Sequence, residues 1–302
     1  MFWILYYAAA VLLLLKMFDI GKTLLYYFGR SGENMLKRYG VGSYAVVTGC
    51  TEGIGRAFAY ALAKRGFNLV LISRSELKLE EVSKNIRSKH DVKIRTLARD
   101  FTTSEDVAYF EEIAKQVADV DVSLLVNNVG VDAIERFDEQ PPQAIKRLLM
   151  TNVNPLTFLT RFLLHKLADR KRSAVITVSS TAAYFGMHHM GAYAGTKAYG
   201  QLFTAALRRE YRNVDMLSLH PGKVSTAMND YMEKNVFTTT ADECVEGCLD
   251  DLLRGYATSE GHVKHKVLAT LMRHLQNIFH LIWENVELPK MRKERKLPPP
   301  KI

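Results

Sequence analysis

The stretch "YAVVTGCTEGIGRAFAYALAKRG", residues 44–66, decides the fold. Its first six residues are a β-rich apolar run closed by a glycine. From Gly55 to Gly66 the apolar residues recur at helical spacing, and a second glycine ends the run. Between them lies "TGCTEGIG", residues 48–55, with glycines at 49, 53 and 55. A strand that passes through such a loop into an amphipathic helix is the opening of a βαβ unit. The glycines permit a tight turn and a close backbone approach to a pyrophosphate. The helix N-terminus then offers its N–H groups and dipole to the same phosphates. The stretch predicts an α/β fold whose first loop cradles a dinucleotide.

Outward from there, strand-like and helix-like patterns alternate. "NLVLIS" (68–73), "KIRTLARD" (93–100), "VSLLVNNVG" (122–130), "SAVITVSS" (173–180) and "VDMLSLHPG" (214–222) read as strands. Charged or amphipathic helical segments separate them, one running from 142 to 170 and another starting near Ala192. Apolar strands alternating with such helices imply a doubly wound parallel sheet, a Rossmann-type α/β single domain over residues 44–262. A further helix, "HKVLATLMRHLQNIFHLIWENV" (265–286), carries a stripe from Val267 to Val286. That stripe suits the core, the interface of a homodimer, or a membrane surface. We take 263–289 as a C-terminal amphipathic helix and 290–302 as a basic tail.

The chain has 302 residues, is 48% hydrophobic and carries a net charge of +9. The charge sits at the ends: residues 290–302 hold six Lys/Arg against one Glu, while 41–289 are near neutral. A nucleic-acid surface would need a basic face on the folded domain, so no nucleic-acid partner is expected. The N-terminus, "MFWILYYAAAVLLLLK", is uncharged for 15 residues. A span needs about 20 residues, so tilt, snorkelling of Lys16 or continuation to Ile20 must help. No basic region precedes the run and no cleavage site follows it. It reads as an uncleaved membrane-anchoring helix over 1–28, followed by a linker over 29–43. Lys16, Lys22, Arg30, Lys37 and Arg38 all lie after the uncharged run of 1–15, which keeps the following domain cytosolic. Cys50, Cys244 and Cys248 form neither a disulfide framework nor a zinc site and read as plain thiols. His274 and His280 are six apart, and no metal site is expected.

Where an acidic residue after the second strand would bind a free ribose 2′-hydroxyl, this sequence has Ser73 and Arg74. That pair suits a 2′-phosphate and hence NADP(H). Two Tyr-x-x-x-Lys pairs occur, Tyr60–Lys64 and Tyr193–Lys197. Spacing alone does not choose between them. There is no G-x-S-x-G elbow, which argues against a serine hydrolase.

The pattern Thr-Gly-x-x-x-Gly-x-Gly resembles the short-chain dehydrogenase/reductase family. "NNVG" (127–130) matches its "NNAG" apart from Val129, Ser180 stands thirteen residues before Tyr193, and Pro221–Gly222 follow the sixth strand. Val47 stands thirteen before Tyr60, so the resemblance selects the later pair. It implies a catalytic set of Asn152, Ser180, Tyr193 and Lys197. Tyr193 would deliver a proton to a ketone oxygen, with the Lys197 ammonium lowering a phenol pKa otherwise near ~10. Ser180 would polarise the carbonyl, in preference to Ser179, and Asn152 would hold a relay water. It also implies a cofactor set of Gly49, Thr51, Glu52, Gly53, Ile54, Ser73, Arg74, Asp100, Asn127, Asn128, Gly130, Pro221, Gly222 and Val224, with Tyr193 and Lys197. His188 and His189 read as surface-loop residues that could touch substrate.

Within the family, "LISRSELKLEEV" (71–82) and "TSEGHVKHKV" (258–267) are similar to the microsomal 3-ketoacyl-CoA reductase / 17-beta-hydroxysteroid dehydrogenase group. The resemblance implies NADPH-dependent reduction of a lipid-like ketone at the endoplasmic reticulum membrane, with the domain facing the cytosol. A 3-ketoacyl-CoA is the first substrate expected and a steroid or retinoid-like ketone the alternative. A non-catalytic membrane scaffold is the third reading, and the intact Asn152, Ser180, Tyr193 and Lys197 count against it. The C-terminal "PPPKI" lacks the dilysine signal common in that group.

Overall fold

The computed structural model describes residues 32–226, 228 and 238–294, with scattered positions between 3 and 21. Two compact units divide at Gly32, Met1–Gly32 and Glu33–Ile302. In the first, the scattered described residues are helical. The anchor expected over 1–28 lies largely outside the described residues, as do 295–302 of the basic tail and most of 227–237. No helix among the described residues is long and apolar enough to cross a membrane.

The second unit is built on a seven-stranded, wholly parallel sheet. In chain order the strands are β1 (Tyr44–Thr48), β2 (Asn68–Ser73), β3 (Ile94–Ala98), β4 (Val122–Asn127), β5 (Ser173–Val178) and β6 (Val214–Leu219). A short pair, β7 (Lys223–Ser225) and β8 (Thr238–Thr240), stands apart, and β9 (Thr258–Ser259) closes the sheet edge. The spatial order is β3-β2-β1-β4-β5-β6-β9. The order reverses between β1 and β4, and ligands of such sheets sit outside the strand C-termini at that switch point.

The strands read as continuous apolar runs because both faces are buried. Along β1, Ala45 and Val47 join one core cluster and Val46 the other. Along β2, Leu69 and Leu71 face one side while Val70 and Ile72 face the other. The helices on the first face include α2 (Gly53–Lys64), α3 (Glu76–Arg87) and α8 (Ala241–Leu253). On the second face lie α4 (Val107–Lys115) and α6 (Asn154–Ala168), through Phe110, Ile113, Leu159 and Leu163.

Three segments differ from the sequence expectation, each for a local reason. Residues 33–43 of the expected linker are built into the catalytic unit. They hold a one-turn helix, α1 (Met35–Tyr39), whose Met35 and Tyr39 are buried one turn apart. The Tyr39 hydroxyl donates to Asp215 at 3.0 Å, and Arg38 pairs with the same carboxylate at 2.8 Å. The helix expected over 142–170 is two: α5 (Pro142–Asn152) and α6, divided at Val153. Pro155 in the first turn of α6 has no N–H for a continuous ladder, which ends α5 at Asn152. The C-terminal helix is also segmented. It comprises α9 (Val263–His274), α10 (Gln276–Ile282), a π-turn (Trp283–Glu287) and α11 (Leu288–Glu294). Residues 290–294 of the expected tail therefore continue the helical segment.

Candidate active site

The phosphate end of the site is made by backbone. Gly49 and Gly53 take φ of +64° and +55°, a region that a side chain disfavours. At Gly55 the constraint is space: a Cβ there would lie 2.2 Å from the Gly49 carbonyl oxygen. Asn128 braces the loop from behind, its Nδ2 donating to the Thr48 and Gly49 carbonyls at 2.9 and 3.1 Å. The first N–H groups of α2 receive no side-chain cap. Helices α3 and α8, by contrast, are capped by Ser75 and Thr240. Glu52, at the cap position of α2, turns away to pair with Lys78. An uncapped N-terminus beside a loop that disfavours a side chain at Gly49, Gly53 and Gly55 fits a dinucleotide pyrophosphate.

At the end of β2, Ser73 is buried and its hydroxyl hydrogen-bonds that of Thr51 at 3.0 Å, while Arg74 is exposed beside it. Asp100 lies at the N-terminus of the turn after β3. Burial pushes its carboxyl up, but the Thr102 N–H and hydroxyl at 2.9 and 2.8 Å, with Arg74 and Arg147, take it below the ordinary range.

The second half of the site is built where β4 and β5 end against α7 (Gly191–Glu210). Tyr193 and Lys197 sit one turn apart on α7, each only 8% exposed. The Lys197 ammonium donates to the Val178 carbonyl at 2.9 Å and lies 5.8 Å from the centre of the Tyr193 ring. Burial holds the Lys197 pKa down at about 8, against a smaller opposing pull from Asp132. Gly130 passes directly over the pair's base: a Cβ there would be 3.2 Å from both Lys197 Nζ and Asn152 Oδ1. Asn152 clamps Val131 through both its N–H and its carbonyl, at 2.8 and 2.9 Å, and donates to Thr196 at 3.0 Å. A small cavity behind these groups is lined by Thr48, Asn127, Asn152, Thr196 and Lys197 among others.

The neighbouring serines, which follow the end of β5, part company. Ser179 is buried and donates to the Lys197 carbonyl at 2.8 Å. Ser180 is half-buried at the strand end, its Oγ accepting the Ala182 N–H at 3.1 Å. Asn127 is oriented away from the loop, its Nδ2 donating to Thr160 at 2.9 Å.

Similarity to known proteins follows the same residues. The short chain dehydrogenase family matches residues 43–236. The chain is 34% identical to 17-beta-hydroxysteroid dehydrogenase type 3 of Homo sapiens, over 76% of this chain and 74% of that protein. It is 32% identical to very-long-chain 3-oxoacyl-CoA reductase-B of Danio rerio, over 78% and 76%. A short-chain dehydrogenase from Sphingobium yanoikuyae, solved in complex with NADPH, superposes with a TM-score of 0.66 at 22% identity, covering 78% and 95%. The chain belongs to the short-chain dehydrogenase/reductase family.

As a short-chain dehydrogenase/reductase the protein is an oxidoreductase, and its site has a polar support that the motifs do not disclose. His220 is fully buried, its Nδ1–H donating to the Ser180 carbonyl at 3.2 Å. Its ring stacks on Tyr184 at 4.5 Å between centres, and the Arg273 guanidinium lies over the Tyr184 ring, 5.5 Å from its centre. The Tyr184 hydroxyl reaches Glu260 at 3.5 Å. Burial, with the charges of Arg273 and Lys197, takes the His220 pKa down to about 4, opposed by its bond to Ser180. The sequence signal was one histidine directly before the Pro221–Gly222 pair, which no spacing rule singles out. Gly222 donates its N–H to His265 at 3.2 Å, and Val224 is buried on β7.

Proposed function

We propose that this short-chain dehydrogenase/reductase reduces a ketone on a lipid-like substrate with NADP(H). The observation that carries the reading is the buried Lys197 one turn from Tyr193, opposite the ends of β4 and β5 and across from the uncapped α2 loop. When bound, the cofactor supplies the hydride. The chain's own residues do the rest. Gly49, Thr51, Gly53 and Ile54 hold the pyrophosphate, and Ser73 and Arg74 receive the 2′-phosphate in place of the carboxylate that NAD would require. Tyr193 gives its phenolic proton to the ketone oxygen, the Lys197 charge stabilises the phenolate left behind, and Ser180 donates to the same oxygen as negative charge grows there.

For the substrate, a 3-oxoacyl-CoA is the first reading and a 17-ketosteroid the second. The relatives named above act, by their names, on one or the other. The basic termini favour an acyl-CoA, whose phosphates they would attract. The residues 1–28 are read as an anchor that places the unit at the endoplasmic reticulum membrane, facing the cytosol. The deciding experiment offers both substrates, with NADPH, to membranes containing the full chain. Turnover of 3-oxoacyl-CoA supports the first reading; turnover of the steroid alone replaces it with the second. NADPH oxidation with neither sinks both.

A further inference from the structure

The residues Val263–Glu294 form a helical strap laid along the loop that leads into Tyr193. Its inner face is accounted for. Trp283 and Leu288 are buried in one apolar cluster with Ile134, Met190 and Tyr193. Trp283 Nε1 donates to the His188 carbonyl at 3.0 Å, His188 pairs with Glu284 at 3.3 Å, and Arg292 meets His189 at 3.1 Å. His189 itself takes a φ of +64°, a strained turn for a residue with a side chain. The two histidines of the loop thus fasten the strap beside the candidate proton donor.

The outer face is of a different kind. Val267, Leu271, Leu275, Ile278, Leu281 and Val286 are each between 40% and 60% exposed. They fall three to five residues apart, two on α9, one at the break after it, two on α10 and one in the π-turn, and Ile282 on α10 is 43% exposed beside them. Other large exposed side chains of the unit, such as Val41, Leu77 and Tyr256, are scattered and need no explanation. Charge says what the stripe would meet. Residues 263–294 hold six Lys/Arg and three Glu, a net +3. Two of the acids are paired within the unit, Glu284 with His188 and Glu287 with Lys223. Lys290 and Lys293 are exposed at the end of the stripe, where the sequence continues with Arg295 and Lys296. Two copies meeting strap to strap would bring like charges together, whereas an anionic lipid surface complements them.

We infer that the outer face of the strap docks on an anionic lipid surface, so that the candidate site at Tyr193 is loaded from the bilayer. The docking stands on the stripe and its charges; the loading rests on the proposed reduction of a lipid-like ketone.

The test uses the full chain with a single cysteine at Ile278 or Leu281 carrying an environment-sensitive fluorophore. The native cysteines Cys50, Cys244 and Cys248 are buried and do not compete for the label. A label at Leu77, on α3, serves as the control. Vesicles of phosphatidylcholine, with and without phosphatidylserine, are compared. Docking predicts a blue shift at 278 and 281 but not at 77, larger with phosphatidylserine and quenched by a lipid-borne quencher. Water-like emission at all three sites in both vesicles overturns the proposal. A shift that ignores the lipid quencher and disappears on dilution assigns the stripe to a second copy instead, and overturns it too. In turnover, Ile278→Asp with Leu281→Asp should raise KM for a membrane-partitioned ketone about a hundredfold, the combined worth of burying two such side chains. It should leave kcat for a short, water-soluble ketone unchanged. The fluorescence needs no activity, so an inactive protein whose 278 label enters lipid counts against the proposed function alone.

Discussion

Two Tyr-x-x-x-Lys pairs stand on helices of this protein, and they share nothing but spacing. Tyr60 and Lys64 lie on α2, with Tyr60 partly exposed under the ammonium of Lys89 at 5.9 Å and Lys64 in solvent. Tyr193 and Lys197 lie on α7 and are buried. The difference comes from what the sheet presents to each helix. Helix α7 crosses the carboxyl ends of β4 and β5, where Val178 offers a carbonyl and Gly130 leaves room for the ammonium. Helix α2 turns its Tyr60 toward a surface lysine. The spacing places two side chains on one face; the strand ends make the face of Tyr193 and Lys197 the candidate site.

The comparison breaks first at the tyrosines. Tyr193→Phe should lower kcat for ketone reduction about 10³-fold, within the range of a lost general acid, with cofactor affinity retained. Tyr60→Phe should leave kcat within about twofold, because that hydroxyl meets no reacting group. Equal losses from the two substitutions in steady-state assays would end the assignment. The lysines sharpen it. Lys197→Met should lower kcat about 10²-fold without lowering Tm. The folded pKa of Lys197 is about 8, below the ordinary lysine value of 10.5, so the unfolded chain binds more protons between those values. Stability from this group therefore rises with pH from about 8 to 10.5 and is at its lowest below 8. Removing a buried ammonium at neutral pH relieves that cost. A clear fall in Tm would show that the bond to Val178 outweighs desolvation.

Much of this was legible in the sequence because it depends on backbone. Gly49, Gly53 and Gly55 announce a loop that side chains cannot build, and the runs at 68–73 and 122–127 announce a sheet buried on both faces. Ser180 was preferred to Ser179 because it stands thirteen residues before Tyr193, the spacing that the family resemblance implies. Other features are tertiary and left no local trace. Met35 and Tyr39 look like linker until Asp215, distant in sequence, supplies the carboxylate that Tyr39 and Arg38 share. The break at Val153 was foreshadowed by Pro155, but the break at Leu275 and the π-turn at 283 were not, since the stripe continues through both. His188 and His189 read as loop residues because their partners, Trp283, Glu284 and Arg292, lie about a hundred residues further along the chain.

A smaller effect is expected at the cofactor end. Arg74→Asp should move preference from NADPH toward NADH by about tenfold or more in kcat/KM, because a carboxylate repels the 2′-phosphate and can bind a free ribose hydroxyl. Arg56→Asp, on α2 near the same loop, is the comparison; a shift as large there would place the 2′-phosphate elsewhere.

The smallest effect separates a group that reacts from one that holds. The His220 side chain hydrogen-bonds only the backbone of Ser180 and stacks on Tyr184, so His220→Asn, which keeps a donor, should reduce kcat about three- to tenfold, the scale of one neutral hydrogen bond. Its clearer signature is in acid. With a folded pKa of about 4 against 6.5 unfolded, His220 stays neutral in the native state while the unfolded chain takes up its proton. Its contribution is fully present above pH 6.5 and is lost as pH falls toward 4, which makes native protein less stable in that window. The asparagine variant cannot titrate, so its Tm should fall less steeply than wild type between those two values. Parallel Tm curves would mean that His220 is not held neutral by burial, and the stacking on Tyr184 would then have to be the whole of its role.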